Sequence, residues 1–205
     1  MTARTRASLT SVPNLLGVAR IAATPIVIAL MLLGFAGSGI VAFVIFALAA
    51  ATDYLDGRIA RARGQVSPLG VFMDLTADKV LVAGVLIAMV EVELLPTWIV
   101  ATILIRELIV QGVRQAAAAA NVVIAARALG KSKTLTTLVA MAVLLLAFDG
   151  RTGGPMAGLG AQAIDAVAAG GLWLMILATI LTLVSGFDYL RGAAPLLLGH
   201  EPDDG

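Results

Sequence analysis

The sequence predicts an all-α integral-membrane protein, six transmembrane helices entered through an N-terminal interfacial amphipathic turn. Three observations predict it. Of the 205 residues, 60% are hydrophobic and 13% charged, whereas about a quarter of an ordinary globular chain is charged. Apolar runs long enough to cross a hydrocarbon core of about 30 Å recur between short polar turns. Lysine and arginine gather in alternate turns. The chain has no cysteine, which excludes disulfides, thiolate metal sites and cysteine nucleophiles. The single histidine, His200, lies in a polar tail and supports no charge-relay triad.

Residues 1–12 are polar and basic, with Arg4 and Arg6; no cleavage site ends the apolar run that follows, so this run is expected to stay as a span. Ser11, Pro13 and Asn14 read as a helix entry with the proline in the first turn. The first span covers 15–34, with Arg20 near its start and Pro25 expected to kink it. Gly37, Ser38 and Gly39 turn the chain into the second span, 40–60, and 61–68 form a polar turn. The third span is 69–95, with Glu91 and Glu93 at its exit. The fourth is 96–118, with Trp98 as an interfacial anchor. A basic connection over 119–134 leads to the fifth span, 135–148, then a Gly-rich loop over 149–161. The sixth span is 163–183, extending toward Tyr189. One membrane domain, 13–190, thus precedes a tail, 191–205, expected to be disordered.

Six spans bring both termini to one side. That side holds Arg4, Arg6, Arg61, Arg63, Arg114, Arg127, Lys131, Lys133 and Arg191, whereas the opposite loops hold only Arg151, offset by Asp149. The positive-inside rule therefore puts both termini, and the 61–68 turn with them, on the cytoplasmic face of the inner membrane.

That turn lies within the most informative stretch, residues 53–78. Asp53, Asp56, Gly57 and Ala60 fall at i, i+3, i+4 and i+7, one stripe of a helix. Asp74 and Asp78 fall at i and i+4, with Gly70 one turn before them. Two helices joined by a short turn would aim four carboxylates at one point, and such charges repel unless cations sit between them. Oxygen ligands select hard divalent ions, Mg²⁺ first where phosphate is involved. Acidic clusters that hold two cations about 3.5–4 Å apart serve in-line phosphoryl displacement. Gly57 and Ala60 lack bulk, so a nucleotide has close access to the helix.

Other charges fall within the spans, where they are costly and usually functional. Arg106 and Glu107 are adjacent, so their side chains leave a helix about 100° apart and are not expected to pair; Arg106 is expected to find another partner, a substrate phosphate or a carboxylate on a neighbouring span. Arg114 is two turns beyond Arg106 on nearly the same face. With Arg20, Lys131 and Lys133 these form a set of candidate phosphate binders. The run AARALGKS at 125–132 approaches a P-loop, but Ala125 replaces the first glycine and no strand precedes it, so nucleotide hydrolysis is not indicated.

The spacing Asp53-x2-Asp56-Gly57-x2-Ala60-Arg61-x8-Gly70-x3-Asp74-x3-Asp78 resembles the signature of the CDP-alcohol phosphotransferases. Pro13 to Leu16 with Arg20, Ala77 to Lys79, Ile105 to Ile109 with Arg114, and Gly130 to Thr134 are similar to segments of the bacterial branch that makes phosphatidylglycerophosphate. The resemblance implies the CDP-alcohol phosphotransferase fold, a homodimer in membrane lipid, and CDP-diacylglycerol as donor. It implies two Mg²⁺ ions, with Mn²⁺ as the alternative, bound by Asp53, Asp56, Asp74 and Asp78, with Asp78 also the general base. It implies contacts to the CDP moiety from Gly57, Ala60, Arg61 and Ser67, and a pocket closed by Asn14 and Gly17. The cations Arg20, Arg106, Arg114, Lys131 and Lys133 favour a phosphorylated acceptor, sn-glycerol 3-phosphate ahead of inositol 1-phosphate; no nucleic-acid partner is implied. Two departures bear on the acceptor: Gly17 stands where the family often has a hydroxyl residue, and Leu75-Thr76 where a proline usually follows the third aspartate. Two other classes compete, a cation transporter and a structural metal-binding subunit. A transporter would carry its carboxylates near the midplane on broken helices, and a structural subunit would not need Gly57, Ala60, Arg61 and Gly70 at fixed spacing.

Overall fold

The structure, a computed structural model, describes residues 12–63, 68–120, 122 and 128–197, and side chains over 15–52, 76–120, 122 and 132–194. These residues are helical throughout apart from short connections: α1 Val12–Leu33, α2 Ser38–Arg63, α3 Pro68–Glu91, α4 Thr97–Ala119, α5 Ala128–Arg151, a 3₁₀ turn Pro155–Leu159, and α6 Ala161–Leu197. Among the described residues three helices are long and apolar enough to cross a membrane, over Leu15–Leu33, Ser132–Arg151 and Ala161–Ala194, and Ser38–Thr52 is a shorter apolar stretch.

The helices run longer than the apolar runs alone imply. The connection read over 119–134 is helical from Ala128, so Lys131 and Lys133 belong to α5, whose other end continues through Asp149 to Arg151. Likewise α6 continues to Leu197, so the first turns of the expected tail are helical; residues 198–205 lie outside the described residues. Hydropathy marks where a helix is buried in lipid, while backbone hydrogen bonding carries it on into polar flanks.

Two compact units make up the fold. The first, within Met1–Leu94 and Ala142–Ala168, packs α1 against both α2 and α3. Val27 and Met31 of α1, Phe46 of α2, and Leu81, Val85 and Met89 of α3 are among its buried side chains; the α3 positions recur at i, i+4 and i+8, one helix face. At Gly84 a Cβ would lie 2.7 Å from Thr24 Cγ2, so this glycine sets how closely α3 approaches α1. Gly34, at φ 56°, ends α1 in the left-handed region. Glu93 takes the same conformation after α3, at φ 57°. There Glu93 N–H bonds Val90 O at 3.1 Å and Leu94 N–H bonds Met89 O at 2.8 Å, a Schellman stop four residues before the span's expected limit.

Asp149 locks this unit. It is 0% exposed; Ile40 N–H donates to its Oδ1 at 2.9 Å and Met156 N–H to its Oδ2 at 3.0 Å. One carboxylate therefore caps the start of α2 and the 3₁₀ turn together. Gly39 and Gly154 leave room for it, since a Cβ on either would overlap Asp149 atoms. Asp149 is thus no loop counter-ion to Arg151, whose guanidinium instead faces Asp165 at 3.7 Å on the surface.

The second unit, within Leu95–Met141 and Ala169–Gly205, takes α4, the first part of α5 and most of α6. Its portion of α6 buries the hydroxyl residues Thr179, Thr182 and Ser185 beside Met175 and Ala178, while Trp173, Leu177, Ile180, Val184 and Phe187 form an exposed stripe, Phe187 at 72%. Such an apolar outer stripe suits lipid rather than water.

Candidate active site

The backbone bears out the helical part of the aspartate reading. Asp53, Asp56, Gly57, Ala60 and Arg61 all lie in α2, and Asp74 and Asp78 in α3, so each aspartate pair shares a helix face. The side chains of Asn14, Asp53, Asp56, Ala60, Arg61, Asp74 and Lys131 lie outside the described residues, as does Ser67 entirely. Gly57 lies in α2 within the same undescribed stretch. Asp78 is described and half-buried, next to the fully buried Ala77. The four aspartates on these helices carry hard carboxylate oxygens, a chemistry that would fit Mg²⁺ or Mn²⁺ rather than a soft metal.

Gly17 and Arg20 are buried on α1, Arg20 at 2% exposure. Arg20 Nε donates to the carbonyl of Ala49 at 3.3 Å. Thr52 Oγ1 donates to the same oxygen at 2.8 Å. Helical geometry makes that carbonyl the acceptor of the Asp53 amide as well, so α1 grips α2 one turn before the first aspartate.

In the second unit Ile99, Ile103 and Val110 mark the buried face of α4, and Arg106, at i+7 from Ile99, falls on that stripe. Its charge is met on several sides. Nε donates to Thr182 O at 3.1 Å, one terminal nitrogen to Ser185 Oγ at 3.0 Å, and the other to Glu107 Oε1 at 2.9 Å. Arg106 and Glu107 therefore do pair, contrary to the expectation from their 100° offset. The long guanidinium arm reaches Glu107 while bonded to α6, and Lys133 of α5 donates to the same Oε1. At Gly186 a Cβ would lie 2.9 Å from Arg106 Cγ and Nε, so the glycine keeps the arginine's channel open.

The candidate phosphate-binding cations are thus differently placed. Arg106 and Lys133 are brought together on one carboxylate, whereas Arg114 stands 5.9 Å from the Tyr189 ring centroid, a cation–π distance. Arg20 engages the carbonyl of α2. Sequence reasoning missed Glu107 as a partner of both cations, and Thr182, Ser185 and Gly186 altogether. Their only sequence signal is the recurrence of small and hydroxyl residues along α6 at helical spacing.

The profile of the CDP-alcohol phosphatidyltransferases matches residues 10–186. A Bacillus subtilis protein named CDP-diacylglycerol–glycerol-3-phosphate 3-phosphatidyltransferase is 36% identical over 148 residues, 66% of this chain and 77% of its own length. A Rickettsia bellii protein of the same name is 33% identical over 88% of this chain and 94% of its own. A Mycobacterium tuberculosis protein named probable phosphatidylglycerophosphate synthase is 32% identical over 92% of this chain and 84% of its own. The chain belongs to the CDP-alcohol phosphatidyltransferase family and is an enzyme of that class.

Proposed function

We propose that this protein transfers the phosphatidyl group of CDP-diacylglycerol to sn-glycerol 3-phosphate, giving phosphatidylglycerophosphate and CMP. The observation that carries the reading is the similarity, over 88–92% of the chain, to relatives named for that transfer or its product. It is supported by the placement of all four aspartates on the two consecutive helices α2 and α3.

In this reading Asp53, Asp56, Asp74 and Asp78 hold two Mg²⁺ ions. When bound, the ions neutralise charge on the diphosphate and the leaving nucleotide. Gly57 and Ala60 let the donor approach α2, with Arg61, Ser67, Asn14 and Gly17 around the CDP moiety. Asp78 accepts the acceptor's hydroxyl proton as that oxygen bonds to the lipid-bearing phosphorus and the bond from this phosphorus to the CMP oxygen breaks. The displacement is direct in this reading: the chain has no cysteine, and its one histidine, His200, lies in the polar tail. Arg106, Arg114, Lys131 and Lys133, with Arg20, supply charge for the acceptor's phosphate. We place six spans in the inner membrane, with termini and site cytoplasmic, and the working unit as a homodimer.

The test is CMP release by purified protein given CDP-diacylglycerol and Mg²⁺, with sn-glycerol 3-phosphate and inositol 1-phosphate in parallel. Release only with glycerol 3-phosphate is expected. Release only with inositol 1-phosphate would keep the mechanism and overturn the product, and failure to turn over with any alcohol would return the transporter and structural classes.

A further inference from the structure

Glu107 has no role in the chemistry above, yet it occupies a junction that a merely solvated carboxylate would not. Its Oε1 accepts from Arg106 on the same helix and from Lys133 on α5. Glu107, Arg106 and Lys133 have side chains 18%, 12% and 10% exposed. Arg106 is held in turn by Thr182 O and Ser185 Oγ of α6. The three bonds use three of the five guanidinium N–H groups, leaving one on each terminal nitrogen for a further acceptor. Two long cationic side chains brought to one oxygen would otherwise repel and spread, because each carries much rotamer freedom.

We propose that Glu107 is a positioning residue: its carboxylate holds the Arg106 guanidinium and the Lys133 ammonium side by side, so that the pair meets one phosphate of the acceptor. The inference rests on the acceptor reading of the preceding subsection and adds to it the group that spaces the cations. It differs in sign from simple charge balance. A carboxylate that only neutralised the pair would weaken anion binding, and removing its charge would tighten it. A carboxylate that positions the pair strengthens anion binding, and removing its charge loosens it.

The experiment is steady-state kinetics of Glu107→Gln, which keeps shape and oxygen but loses charge-assisted bonding. KM for sn-glycerol 3-phosphate is expected to rise about tenfold, the scale of one charge-assisted hydrogen bond, with kcat and KM for CDP-diacylglycerol within about twofold. Glu107→Asp, one methylene shorter, should raise the acceptor KM as well. Ser185→Ala removes one Arg106 anchor with little change in volume and should raise the same KM about threefold; it decides the matter if the Glu107 variants fail to fold. An acceptor KM that falls or stays level, or that moves together with the donor KM, would overturn the proposal. Normal wild-type turnover with an unchanged variant KM sinks this inference alone. Absence of wild-type turnover with either phosphorylated acceptor sinks the functional reading and this inference with it.

Discussion

Arg20 of α1 and Ala49 of α2 meet through a hydrogen bond of 3.3 Å from a buried guanidinium to a helix carbonyl. A charged donor is placed on the turn that precedes Asp53, where its loss would shift the first aspartate without touching it. Arg20→Met is expected to lower kcat by roughly ten- to a hundredfold, the scale that about 1 Å of misplacement carries in an active site. CMP release, read beside a detergent melting curve, checks it; unchanged kcat and unchanged acceptor KM in a folded variant would limit Arg20 to packing.

Asp78→Asn removes the group assigned to the acceptor's proton and one carboxylate of the metal set. Turnover should fall by about 10²–10⁴-fold, the usual range for general-base loss. Binding of labelled CDP-diacylglycerol in Mg²⁺ should weaken far less. Residual turnover near wild type would move the base elsewhere.

Chelation tests the carboxylate set as a whole. Dialysis against EDTA should abolish CMP release, and Mg²⁺ should restore it with Ca²⁺ failing, because the smaller ion demands tighter octahedral geometry. Full activity after chelation would remove the metal from the proposal.

Asp149→Asn tests the capping carboxylate. The amide NH₂ would face one of the two backbone N–H groups now bonded to the acid, from Ile40 and Met156. Leaving one buried donor unmet costs about 1–3 kcal/mol, so the thermal midpoint in detergent should drop by several degrees, whereas kcat of the folded protein should change little. Gly154→Ala, which would push a methyl onto the same carboxylate, should destabilise in the same direction.

Gly186→Ala tests the seat of Arg106. The added methyl would stand 2.9 Å from the arginine's Cγ and Nε, displacing the guanidinium from Thr182 and Ser185. The acceptor KM should rise several-fold while donor KM holds. Equal movement of both constants would point to a general packing defect.

What the sequence revealed and concealed follows one division. Local regularity was legible: apolar runs gave the helices, and the i, i+3 and i, i+4 aspartate spacings fell on α2 and α3 as expected. Contacts between residues far apart in the chain were not. Nothing local shows that Glu107 meets Lys133, 26 residues on, or that Ser185 meets Arg106, 79 residues away. Asp149 looked like a loop charge because burial is a tertiary property; only the fold shows Ile40, 109 residues away, donating to it. The starts of α5 and the end of α6 were misplaced for a related reason, since a helix continues wherever its backbone is bonded, whatever the polarity of its side chains.

The length of α6 sets a constraint on the membrane itself. Its apolar portion, Ala161–Ala194, has 34 residues, or about 51 Å at 1.5 Å per residue, against a hydrocarbon thickness of about 30 Å. Tilt cannot absorb the excess: it would need an angle of about 54°, outside the 0–40° that such helices adopt. Asp165 and Asp188 are 23 residues apart, about 35 Å along the axis, which spans the core at a tilt of about 30°, inside that range. With the hydrocarbon boundaries at these two carboxylates, the turns beyond each would stand among headgroups. The helix is thus a gauge of hydrophobic mismatch, and thinning the lipid would strand its apolar turns before it disturbed any charged group.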